Sequence, residues 1–194
     1  MLIKNSFDVG YPPDRVWQFF QDVPQVASCL PGAELTEDLG DDTYLGRVAV
    51  SMGPVKLQFA GNANIVERDD KTRRLRVDTS GADVKGRGQA NMLVTATLAP
   101  APGGTRVDLE QDLMLSGAAA QYGRGMISDV TAVLMKQFAT NMQRRIEAVE
   151  RGEDPDRVAA ARPASGFAIG MQAARMALLR VFRRFFLPYQ PNPR

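Results

Sequence analysis

The chain has 194 residues, 44% of them apolar, with 24 Lys/Arg, 22 Asp/Glu, one Cys and no His. This length and apolar fraction suffice for one domain with a real core plus an appendage. The single cysteine excludes an internal disulfide and a Cys-based metal site. The missing histidine removes the usual general base, the commonest transition-metal ligand and any Ser–His or Cys–His dyad.

A net charge of +2 conceals an asymmetry: residues 1–150 hold 16 Lys/Arg against 19 Asp/Glu, and residues 151–194 hold eight Arg against three acids. An acidic body carries a basic tail, which suits an anionic partner. The first ten residues read as a strand and not as a charged region followed by an apolar run. No secretory signal is expected, and the chain reads as cytoplasmic.

Residues 2–9 alternate, with Ile3, Phe7 and Val9 on one face and Lys4, Ser6 and Asp8 on the other, which predicts a half-buried strand. Tyr11-Pro12-Pro13-Asp14 turns the chain into a short helix carrying Val16, Trp17, Phe19 and Phe20. A second short helix spans 23–30 and closes at Leu30-Pro31-Gly32. The pattern then switches to period two, predicting strands over 33–38, 43–52, 55–67, 73–79, 89–99 and 105–115. Gly53-Pro54, Asp69-Asp70-Lys71, a glycine-rich break over 81–88 and the loop over 100–104 separate them. Consecutive strands with short turns predict an antiparallel meander, apolar on one face and charged on the other.

The next stretch, 118–150, predicts the longest element, a helix about 45 Å long if 30 residues rise 1.5 Å each. Ile127, Val130, Leu134, Phe138, Met142, Ile146 and Val149 form its apolar stripe. Gln121, Arg124, Asp129, Lys136, Arg144 and Glu147 lie mostly off it. Gly152, Asp154 and Pro155 stop it. The order of strand, two short helices, six strands and a long helix is the helix-grip arrangement, an α+β class in which a curved antiparallel sheet wraps one C-terminal helix. A cavity between helix and sheet and a filled core both satisfy this pattern.

Several strings carry a family resemblance. They are Trp17, Cys29-Leu30-Pro31-Gly32-Ala33-Glu34, Gly53-Pro54-Val55-Lys56, Phe59-x-Gly61, Lys85-Gly86-x-Gly88, Gly104-Thr105 and Gln121-Tyr122-Gly123-Arg124. Over roughly residues 1–149 the chain resembles the G-subunit family of carbon monoxide dehydrogenase, within the START-like (SRPBCC), polyketide-cyclase-related superfamily. Tyr122 stands where relatives carry Phe. The resemblance implies a cavity protein associated with molybdenum-containing carbon monoxide dehydrogenase and with the inner face of the cell membrane. It further implies that the protein handles a respiratory quinone, menaquinone or ubiquinone, as a carried ligand. No covalent cofactor, metal or nucleic acid is expected.

If a ligand is held, the inward faces line it: Tyr44, Val48, Leu57, Phe59, Val77, Met92, Val94, Leu109, Gln111, Leu113 and Tyr122, with Met126, Val130, Leu134 and Phe138 from the helix. Almost all are apolar, so a long hydrophobic ligand fits and a charged metabolite does not. Tyr44, Gln111 and Tyr122 are the polar candidates for a quinone carbonyl, although for each one taken singly a bond to nearby backbone is the simpler role. Gly117, Gly123 and Gly125, and the break over 81–88, serve either close packing or a mobile gate. Asp108, Glu110 and Asp112 alternate on one strand face, a solvated stripe that Arg106, Arg74 and Arg76 can answer. No nucleophile stands beside a base, and the glycine strings match neither a dinucleotide nor a phosphate loop. No catalytic residue is assigned.

Residues 151–165 read as a linker, 166–187 as an amphipathic helix and 188–194 as a disordered tail. In the helix, Leu178, Phe182, Phe185 and Phe186 cluster on one side, with Arg175, Arg180, Arg183 and Arg184 opposite or at the boundary. Four arginines oppose spanning a bilayer and favour lying in an anionic leaflet. The alternative to a quinone carrier is a membrane anchor or maturation factor for the hydroxylase, its cavity merely a core. A cyclase-type enzyme is the remaining reading, disfavoured by the absence of His.

Overall fold

The structure, a computed structural model, describes residues 1–53 and 55–155. The expected linker from residue 156 onward, the amphipathic helix with its membrane-facing residues, and the tail lie outside the described residues. The elements are β1 (Leu2–Val9), α1 (Pro13–Gln21), α2 (Val23–Cys29), β2 (Ala33–Gly40), β3 (Thr43–Met52), β4 (Val55–Asp69), β5 (Arg74–Asp83), β6 (Gln89–Ala101), β7 (Gly104–Leu115), a short 3-10 segment (Gly117–Gln121) and α3 (Arg124–Glu150).

The seven strands form one antiparallel sheet in the order β1-β7-β6-β5-β4-β3-β2. Strands β2 to β7 are the expected meander, and β1 pairs with the last strand. Side chains directly opposite in such a ladder share a face. The register therefore draws inward rows across the sheet. One runs Tyr44–Ala63–Thr79–Met92–Leu113, and the next Ile65–Val77–Val94–Gln111–Ile3. A third row, Gly46–Gly61–Gly81–Ala90–Leu115, holds three glycines in line. A Cβ added at Gly61 would stand 1.8 Å from the Ser80 carbonyl oxygen. Only a glycine lets β4 and β5 approach so closely there, as a sharply bent sheet requires.

The outer face carries the charges. Lys4 of β1 pairs with Glu110, Arg106 bonds Asp108 at 3.2 Å, and the Met1 ammonium meets Asp112 at 3.1 Å. Arg74 and Arg76 turn instead to Glu67, at 3.5 and 3.1 Å. The acidic stripe on β7 is thus neutralised from β1 and from its own strand. At the other edge β2 is mostly exposed, with register shifts between Leu35 and Glu37 and between Asp38 and Gly40.

α1 starts with Pro13, whose fixed φ suits the first turn and whose missing N–H costs nothing there. It buries Val16, Trp17, Phe19 and Phe20. The Asp22 carboxylate caps α2 by accepting from the Gln25 N–H at 3.1 Å. α3 runs for 27 residues, about 40 Å at 1.5 Å per residue. It begins at Arg124, six residues later than the expected 118. Ahead of it the 3-10 segment is tied to the β5–β6 loop: the Ala118 N–H donates to the Arg87 carbonyl at 2.7 Å. Gly117 has φ +68, and a Cβ on it would lie 2.1 Å from the same oxygen. At this position glycine serves close packing of loop on helix start.

Large side chains gather in two clusters. The first joins α1, α2 and the C-terminal half of α3 to the sheet through Val16, Trp17, Phe20, Leu75, Leu109, Phe138, Met142 and Ile146. Phe138 meets Phe7 and Phe20 edge-on at 5.9 and 6.2 Å, a favourable aromatic geometry. The second lies at the opposite end of α3, around Ile3, Met52, Leu57, Phe59, Ala119 and Ile127. The backbone of α3 comes nearest to β1 and, more sparsely, to β3. The α3 side chains Phe138, Met142 and Ile146 still reach Leu75, Leu98 and Leu109 of the central strands.

Candidate functional site

The inward residues fall into three groups. Leu57 and Phe59 belong to the second cluster, and Val48, Leu113 and Tyr122 pack against it. Leu109 and Phe138 belong to the first, with Val77 and Val94 packed against it. Between the two, Tyr44, Met92 and Leu134 join neither and remain half-buried. Leu134 is the telling case. Its stripe neighbours one turn away, Val130 and Phe138, are 2% and 3% exposed, yet it is only half-covered. The adjoining row supplies the small residues Ala63 and Thr79, and next to it come Gly46, Gly61 and Gly81. Small side chains on these rows and the partial exposure of Tyr44, Met92 and Leu134 make the middle of the grip less covered than either cluster.

Met126 does not line this region. It lies in the first turn of α3 and is 44% exposed, while Ile127 is the residue turned inward. Val149 is likewise 39% exposed, and the C-terminal end of α3 buries Ala148 in its place. A stripe that advances by fours drifts about 40° per step around a helix of 3.6 residues per turn. Asp129, expected off the stripe, is buried at 7% exposure.

A second concavity lies at the sheet edge. Asn5, Phe7 and Asp8 of β1 face Ala132, Met135 and Lys136 of α3 across a groove of about 380 Å³. The helix residues recur at three and four, and the two alanines, Ala132 and Ala139, make the room. Asn5 was not singled out by sequence reasoning. It stands on the inward face, opposite Leu109, in a run otherwise read by its apolar members. Its side-chain nitrogen is sealed from solvent and has no hydrogen-bond partner, a state that costs about 1–3 kcal/mol for a buried polar group. Gln111, one diagonal step away on β7, is 4% exposed, and no side-chain hydrogen bond joins it to another described residue.

Proton chemistry has little to work with here. Burial raises the Tyr44 phenol, and the Asp38 and Asp42 carboxylates add to that, so it stays protonated as a hydrogen-bond donor. Burial pushes the Cys29 thiol up to about 11, which leaves it inert. The Asp83 side chain is only 1% exposed. Its carboxylate accepts from the Arg87 guanidinium at 2.8 and 2.9 Å and from the Gln58 N–H at 3.1 Å. The guanidinium, against the opposing cost of burial, holds that carboxyl well below the usual range. An acid pinned in its ionised form clasps the β5–β6 loop to β4 and has no proton to offer. Among the described residues no group of three or more His, Cys, Asp or Glu is placed to hold a metal.

The family model for the carbon monoxide dehydrogenase G-subunit, CoxG, matches residues 6–147. The chain belongs to the CoxG family. No curated protein matches it. Among solved structures, a conserved protein from Geobacillus kaustophilus superposes with a TM-score of 0.67 at 19% identity, covering 76% of this chain and 95% of that one. The Zhui aromatase/cyclase from Streptomyces sp. R1128 superposes at 0.53 with 17% identity, covering 77% and 97%. A protein from Thermus thermophilus gives 0.54 at 17% identity, covering 77% and 99%. These neighbours share the START-like helix-grip fold. The CoxG match begins inside β1 and ends three residues before α3 does, so it takes in nearly the whole grip. No helix among the described residues is long and apolar enough to cross a membrane.

Proposed function

We infer that this CoxG-family chain is a non-enzymatic accessory subunit that holds a hydrophobic ligand, a respiratory quinone, between α3 and the sheet. It would serve a molybdenum-containing carbon monoxide dehydrogenase by connecting that enzyme to the quinone pool. The observation that supports the reading is the partial exposure of the middle of the grip, where Leu134 stays half-buried between two buried neighbours. Apolar walls with few polar groups suit an apolar guest. Membership of a family described as part of that dehydrogenase supplies the partner. The arginines of residues 151–194, eight against three acids, support docking of the protein on the anionic inner face of the cell membrane.

Extraction and mass spectrometry of the full chain, purified without detergent from cells that make quinone, test the reading. Stoichiometric quinone is the expected result, and protein that neither carries nor takes up quinone would refute it. A chain lacking residues 166–194 sharpens the test: dehydrogenase that assembles but fails to reduce membrane quinone supports the link, whereas unassembled dehydrogenase points to a maturation factor.

A further inference from the structure

The inward face of β1 and of the neighbouring stretch of β7 is mostly apolar, which makes the two carboxamides on it conspicuous. Asn5 and Gln111 sit on adjacent strands, one diagonal step apart, and diagonal neighbours lie within reach of each other's side chains. Gln111 is 4% exposed and lacks a side-chain partner among the described residues. The Asn5 nitrogen is sealed and unpartnered. Asn5 also forms part of the wall of the β1–α3 groove, whose volume of about 380 Å³ is at the low end for small-molecule sites. Such a groove takes a ring and leaves a long tail to run elsewhere.

We propose that Asn5 and Gln111 form a two-amide subsite, reached through the β1–α3 groove, that takes the oxygen of an apolar ring ligand in either its carbonyl or its hydroxyl form. This rests on the quinone reading above and specifies its polar contact. A carboxamide carries two donors and an acceptor on one rotatable plane. Its NH2 group meets a carbonyl, and a half-turn presents its oxygen to an O–H. No change of charge accompanies that half-turn, so the site needs neither a histidine nor an ionised acid. The nearest charged groups in the groove, Asp8 and Lys136, lie at its rim, on exposed positions of β1 and α3. A carrier must accept its cargo oxidised and release it reduced, or the reverse, and a pair of amides tolerates both states.

The experiment titrates the full chain with a short-tailed 1,4-naphthoquinone and, under anaerobic conditions, with the same compound reduced to its diol. Asn5→Leu and Gln111→Leu are each compared with the parent chain. The expected result is affinity for both forms falling about tenfold, as loss of roughly one hydrogen bond implies. Melting temperature of the ligand-free variants is expected to hold or rise, because an unpartnered buried amide has been removed, and Gln111→Asn is expected to keep part of the affinity. Variants that bind both forms as tightly as the parent overturn the subsite and leave the cavity reading standing. A loss confined to one form overturns the two-state recognition. A parent chain that binds neither form overturns the quinone reading itself.

Discussion

The two ends of the grip treat the same kind of strand face differently. At one end, α1 and α2 wedge Trp17, Phe19 and Phe20 against the sheet, and Met142 and Ile146 are fully buried. In the middle, Leu134 and Met92 come from equally apolar elements and stay half-covered. The strands are not more polar there. What changes is the surroundings: α1 packs at the other end, and the sheet rows here include the small residues Ala63, Thr79, Gly46, Gly61 and Gly81. Burial in this fold is decided by what stands across from a residue more than by the residue's own hydrophobicity.

That contrast can be broken by substitution. Met142→Ala removes a side chain with no exposure and is expected to cost about 2–5 kcal/mol, measured by denaturant unfolding. Gly61→Ala should cost roughly 1–3 kcal/mol, in the range of overpacking, because the added methyl has no room beside the Ser80 carbonyl; a neutral effect would deny that β4 and β5 are forced together. Leu134→Ala, equal in chemistry to a core truncation, should cost less, about 1–2 kcal/mol, since part of its surface is already open to solvent. If Leu134→Ala destabilises as much as Met142→Ala, the middle is packed like the closed end and the comparison fails.

Asp83 provides a control outside both regions, read through pH. Its folded pKa is depressed by Arg87, so the clasp contributes stability above the unfolded carboxylate pKa of about 3.9. That contribution fades as pH falls through the folded pKa. Asp83→Asn should therefore lower the melting temperature at pH 7, with the gap to the parent narrowing as pH drops below about 4. A gap that stays constant down to about pH 2 would remove Asp83 from the acid response.

Much of this architecture was legible because period two and period 3.6 are local properties. β1 follows the alternation residue for residue, β3 has the expected bounds, and both short helices sit where Pro and the apolar clusters put them. What the sequence hid was non-local. β5 continues through Gly81 to Asp83 because β4 pairs with it there, and no local pattern announces a partner. The 3-10 segment interrupts the expected helix because Arg87, some thirty residues earlier, holds its backbone. Gln111 could be picked out as a polar residue on an inward face, but its lack of a partner could not. Asn5 was passed over because its apolar neighbours define the strand equally well without it.

The outermost strand, β2, has a consequence for behaviour in a crowded cell. A seven-stranded open sheet has two borders, and α3 packs near the one formed by β1. The border at β2 is left with two interruptions of its ladder and with Glu34, Glu37 and Asp38 along it. Irregular, negatively charged borders repel a second chain that would otherwise zip on by main-chain bonding. The grip is thereby spared from polymerising through its weakest side.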